Sequence, residues 1–106
     1  MAWLFLLLAG LLEVCWAVGL KYSSGFTRLW PSVWTVATMI ASFYFLALAL
    51  RHIPLGTGYA VWTGIGAAGT FIAGVILFSE SLSPLRVGAV LLILAGIAGL
   101  KLASPG

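Results

Sequence analysis

Glu13 stands alone among apolar, aromatic and small residues in the stretch from Trp3 to Leu20. A segment of that length fits a bilayer span, and holding an ionised carboxylate at its centre costs about 2.5–3.5 kcal/mol on insertion scales. A lone intramembrane acid is therefore a functional residue by default, and its chemistry is the binding of a proton or a cation. The plainer alternative is a protonated glutamate that donates one interhelical hydrogen bond. Gly10, Trp16 and Ala17 lie three or four positions from Glu13 and share its helix face. Gly10 admits a ligand or a second backbone to the carboxylate, or simply tightens helix packing. Trp16 offers an aromatic face to whatever the carboxylate binds.

A second stripe lies further along, with Tyr59, Trp62, Thr63 and Gly66 at i, i+3, i+4 and i+7. Such stripes often serve packing alone, yet a planar cation would gain from both rings as well as from Glu13. Ser42 falls well inside another apolar run and shares a face with Thr38 and Leu46. Its hydroxyl has two open uses: bonding back to its own helix, or bonding the central carboxylate. The pair Gly64 and Gly66 sits near the middle of a glycine-rich segment, where it weakens a helix and favours a kink that neighbouring helices tolerate. That kink is a plausible hinge.

These residues need membrane helices to position them. The chain of 106 residues is 63% hydrophobic and only 7% charged, against about 45–50% and about 25% in a soluble domain. Its pattern predicts one all-α transmembrane domain over residues 1–106, with four spans at about 3–20, 31–50, 55–78 and 85–103. Any chemistry then takes place within the bilayer. Lys21 to Trp30 reads as a polar loop whose Lys21 and Arg28 face head groups, and Pro31 suits the first turn of the next helix. Trp30 and Trp34 read as interfacial anchors, and His52 as a solvated turn residue. Glu80 and Arg86 read as solvated surface, and Lys101 as a side chain that snorkels to the interface.

The fourth helix is aliphatic until Lys101, and its small residues Gly88, Ala95, Gly96 and Gly99 suit close helix contact. It reads as an assembly helix without chemistry of its own. The lone Cys15 reads as a small buried hydrophobe, and nothing at the N-terminus has the pattern of a removable signal peptide. The sequence has no metal-ligand cluster, no nucleophile paired with a base and no phosphate-binding loop, so neither an enzyme nor a cofactor or metal is expected. Its net charge of +3 forms no cluster, which argues against a nucleic-acid partner.

Four short helices are expected to form a bundle filled by side chains, too small to enclose a substrate path. Alternating access commonly relies on inverted repeats, and this chain has no second half to supply one. A second copy inserted the opposite way would. Lys21, Arg28 and Arg86 fall on one side of the membrane and Arg51 and Lys101 on the other, and the N-terminal amine evens the count. The positive-inside rule then sets no orientation, and an antiparallel, dual-topology homodimer is expected.

The run from Gly10 through Glu13, Trp16 and Lys21 to Arg28, together with Tyr59-Ala-Val-Trp62-Thr-Gly64-Ile-Gly66-Ala, resembles the small multidrug resistance family over essentially the whole chain. Trp16, Lys21-Tyr22, Trp62 to Gly66 and Gly99-Leu100-Lys101 look most like its guanidinium-exporting branch, since the quaternary-ammonium branch usually lacks a tryptophan at the position of Trp16. The resemblance implies a proton-coupled antiporter of the bacterial inner membrane. In it Glu13 serves both proton and substrate, Trp16, Ser42, Tyr59 and Trp62 line the site, Gly64 to Gly66 forms the kink, and the fourth helix dimerises. Gly58 departs from the alanine common in that branch. Quaternary ammonium export, a cation channel and a non-transporting assembly subunit remain as other readings.

Overall fold

The structure, a computed structural model, describes residues 1–103, so the last three residues of the expected domain lie outside the described residues. Four helices follow one another: α1 (Ala2–Tyr22), α2 (Leu29–Ala49), α3 (Leu55–Phe78) and α4 (Pro84–Ala103). All four are long and apolar enough to cross a membrane. Helix α2 starts two residues before Pro31, which therefore occupies its first turn, where a missing N–H leaves no gap in the helix ladder. Three turns reverse the chain. In the first, Ser24, Gly25 and Phe26 adopt positive φ, and the Ser23 hydroxyl closes the bend by donating to Leu20 O at 2.7 Å and accepting from Phe26 N at 3.1 Å.

The expected filled bundle is corrected. The molecule measures 43 × 34 × 17 Å, a slab too broad and thin for four helices around a common centre, given a diameter of about 10–12 Å for each. Helix α1 packs along α2 and α3, whereas α4 packs mainly on α3 and buries no residue. Apolar periodicity could not reveal this, because in a membrane a lipid-facing leucine and a core leucine look alike.

The apolar core is confined to one end of the slab. Leu6 and Ala9 of α1, Leu46 and Ala49 of α2, Ile53 of the turn and Val61 and Trp62 of α3 form one buried cluster. Towards the other end glycines set the spacing. A Cβ at Gly10 would overlap the Ile65 side chain, and one at Gly69 would overlap Val14, so α1 and α3 approach more closely than side chains normally permit. Gly64 does the same for α4, receiving Ile93 and Ile97.

Lys101 is exposed near the end of α4, with its Nζ 4.9 Å from the centre of the Trp3 ring. Trp34 is half exposed, as an interfacial anchor requires, but its indole N–H also donates to Cys15 O at 2.9 Å and ties α2 to α1.

With stability confined to so small a core, one truncation there should tell. Leu6 is fully buried, and Leu6→Ala should lower unfolding stability in mild detergent by about 2 kcal/mol or more. Leu92→Ala, at a position 75% exposed on α4, should change it by less than about 0.5 kcal/mol. Equal effects would contradict the slab.

Candidate functional site

Glu13 lies where α1 crosses α3. Its carboxyl group occupies the space that a Cβ at Gly66 would fill, so the side chain rests directly on the α3 backbone. Gly66 thus has a role that its reading as a hinge does not include: it makes the seat for the carboxyl group. Helix α3 is continuous through Gly64 and Gly66. The Oε1 atom of Glu13 is buried and has no hydrogen-bond partner among the described residues. A buried polar atom without a partner is costly, and an acceptor in that position is available to a donor from outside the chain.

One turn along α1 the Trp16 indole N–H is also buried without a partner among the described residues. An unused acceptor and an unused donor therefore lie on one stripe of one helix. One turn the other way, Gly10 is buried against Ile65.

Ser42 takes neither of its two expected partners. Its hydroxyl donates across to Ala9 O at 2.7 Å and accepts the Trp62 indole N–H at 3.1 Å, with all three residues buried. One hydroxyl thereby joins α2 to α1 and α3, one turn before the Glu13–Gly66 layer. Trp62 is also held by the Phe43 ring at 5.7 Å and the Tyr59 ring at 5.5 Å, both tilted. Tyr59 remains largely exposed at the outer end of this aromatic stripe. Thr63 is exposed as well and joins no part of the network. Gly58, beside Tyr59, is buried with the Leu50 side chain in the place of its missing Cβ.

The structure thus brings Gly10, Glu13 and Gly66 together at one crossing, and Ser42, Trp62 and Tyr59 into a contiguous chain beside it. Gly88, Ala95, Gly96 and Gly99 lie apart on α4. The spaces where Gly88, Gly96 and Gly99 would carry a Cβ are open, and Ala95 is exposed. Sequence reasoning missed Ala9, whose contribution is a backbone carbonyl and leaves no trace in residue type. Among the described residues no group of three or more His, Cys, Asp or Glu is placed to hold a metal ion.

Fold and site together define a small multi-pass membrane protein built around one intramembrane acid. A family model described as Small Multidrug Resistance protein matches residues 1–94, and the chain belongs to that family. The guanidinium exporter of Yersinia pseudotuberculosis serotype I (strain IP32953) is 61% identical over 104 residues, which cover 98% of this chain and 100% of the relative. That of Salmonella typhimurium is 59% identical over 104 residues, covering 98% and 99%. That of Escherichia coli (strain K12) is 57% identical over the same length, also covering 98% and 99%. The protein is accordingly a multi-pass protein of the bacterial inner membrane.

The Ser42 junction has a measurable consequence. Ser42→Ala should lower stability by about 1–3 kcal/mol, because it strands a buried indole N–H, and should shift the tryptophan emission as Trp62 loosens. Thr63→Ala should do neither. A silent Ser42→Ala would show that the junction holds nothing.

Proposed function

We propose that this protein exports guanidinium and related small guanidinyl cations in exchange for protons, alternating the access of a single site at Glu13 between the two sides of the membrane. The observation that carries the proposal is the Glu13 carboxyl group, buried against Gly66 with Oε1 unpartnered and a second unpartnered group, the Trp16 N–H, one turn away. The names of the relatives, guanidinium exporters at 57–61% identity over nearly the full chain, support guanidinium as cargo.

The chemistry follows from shape and charge. Guanidinium is planar and presents N–H groups in a fork that matches a carboxylate, while its faces stack on aromatic rings. Glu13 accepts the fork, and Trp16 and Trp62 offer rings. Ser42 and Tyr59 complete the lining, Ser42 by fixing the Trp62 indole. A proton on Glu13 removes the charge that holds the cation, so proton and cation compete. If only the loaded forms change sides, an inward proton gradient drives the cation outward. The glycines at 64 and 66 are the hinge in this scheme, giving α3 a weak point beside the binding layer.

The working unit is a homodimer of oppositely inserted copies forming one four-helix domain each. Three features support it: a slab does not enclose Glu13 by itself, the Lys/Arg distribution gives little orientation, and the small face of α4 points away from α3. A second copy supplies the missing wall and a second carboxylate, and the inverted repeat that alternating access requires.

In liposomes holding the purified protein, an inward-directed proton gradient should drive guanidinium out of the compartment the protons enter, and Glu13→Gln should abolish the exchange. Gly66→Ala should remain folded, since the atoms it meets belong to a side-chain end. It should weaken guanidinium binding about tenfold, as expected for displacing one charge-assisted hydrogen bond. Guanidinium flux without counter-moving protons would point to a channel. Transport of a small quaternary ammonium ion alone would place the activity with the drug exporters.

A further inference from the structure

The far end of the α1–α3 crevice carries a second carboxylate that the scheme above does not use. Beyond Glu13 and Gly66, successive turns of the two helices face each other as Ala17 with Thr70 and Lys21 with Gly74. There the crevice widens into a small cavity of about 70 Å³ lined by these residues and by Glu80. Glu80 is exposed, as its reading as solvated surface requires, yet its position is fixed: the chain reverses at Ser79, in the left-handed region at φ 54°, and Glu80 N donates to Gly74 O at 3.2 Å. The Glu80 carboxyl group then folds inward over Gly74, where any Cβ would displace it.

Beside that carboxyl group stands a guanidinium. Arg86, in the first turn of α4, places Nη2 3.7 Å from Glu80 Oε1 and its Cζ 4.9 Å from the centre of the Phe71 ring. Its Nη1 donates to Ser81 O at 2.6 Å. A carboxylate at the edge and an aromatic ring at the face are the complement of a free guanidinium ion, and here the chain's own side chain covers the ring while standing beyond hydrogen-bond length from the carboxylate. The pair is partly exposed, with side chains 39% and 38% accessible, so exchange with a solute is open. The neighbouring cation, Lys21, keeps to the opposite wall with Nζ 5.1 Å from the centre of the Phe78 ring.

We propose that Glu80 and Phe71 form a second, peripheral guanidinium site beside the turn between α3 and α4, occupied by the Arg86 side chain until a guanidinium ion from solution displaces it. Its ligands are planar guanidinyl cations, which present the same fork and face as Arg86; a spherical cation of equal charge has neither. Helix α4, read from sequence as an assembly element only, contributes the displaceable occupant. The inference takes its cargo from the reading above but not its site, so either can fail without the other.

The test measures binding with Glu13 already disabled. In the full-length Glu13→Gln protein in detergent micelles, guanidinium chloride is titrated against sodium chloride at constant ionic strength while the Gly74 amide and the Arg86 side-chain N–H signals are followed by NMR. Guanidinium should move both saturably and sodium should not. Adding Glu80→Gln should abolish the response. Adding Arg86→Ala, read at Gly74, should tighten guanidinium binding about fivefold, the release of an exposed ion pair, and leave any sodium response unchanged. Equal responses to guanidinium and sodium would overturn the site. So would an Arg86→Ala protein whose guanidinium affinity is unchanged or weaker, and this variant remains decisive even if Glu80→Gln fails to fold.

Discussion

The close approach of α1 and α3 is the constraint on which the rest of the molecule depends. Glu13 is seated only because residue 66 has no side chain, and the two helices hold that distance only because Gly10 and Gly69 admit Ile65 and Val14. In a bilayer, lipid tails compete on equal terms for apolar contact, so this kind of van der Waals fit is what holds helices together. The same fit leaves Oε1 of the half-buried Glu13 shielded and without a partner among the described residues. Function and packing are thus satisfied by one set of glycines.

The slab divides into a firm end and an open one. At the firm end the apolar cluster from Leu6 to Trp62 and the shared hydroxyl of Ser42 lock three helices together. At the other end α1 and α2 stay tied through Gly19 and the Trp34–Cys15 hydrogen bond, while the contacts beside α3 include the ion–ring pairs of Lys21 on Phe78 and Arg86 on Phe71, which exchange partners at little cost. Glu13 stands at the boundary between them. The alternating release proposed for Glu13 suits that place, with a rigid layer behind it and an adjustable crevice ahead.

Much of this was legible in the sequence, and the limits have physical causes. A charge costs so much in a bilayer that Glu13 identified itself, and apolar runs separated by Gly, Ser and Pro marked the helices. Residue type also indicated that Gly66 matters, though as a hinge and not as the seat of the carboxyl group, because a glycine's neighbour on another helix is not written beside it. Ser42 shows the same limit: its acceptor is a carbonyl 33 residues away, and every residue has a carbonyl. The slab was hidden because periodicity reports an apolar face without saying whether lipid or protein covers it. Glu80 is exposed, as an acid beside a membrane helix end should be, but its place over Gly74 follows from the reversal at Ser79, which residue type does not announce.

The proposed exchange has proton and guanidinium occupying Glu13 in turn. It is tested most directly by counting the protons released when guanidinium binds, using calorimetry in buffers of different ionisation enthalpy across a range of pH. Binding to the native protein should release protons, affinity should fall as the solution is acidified, and Glu13→Gln should abolish the release. Guanidinium binding with no proton release at any pH, or release that survives Glu13→Gln, would contradict it.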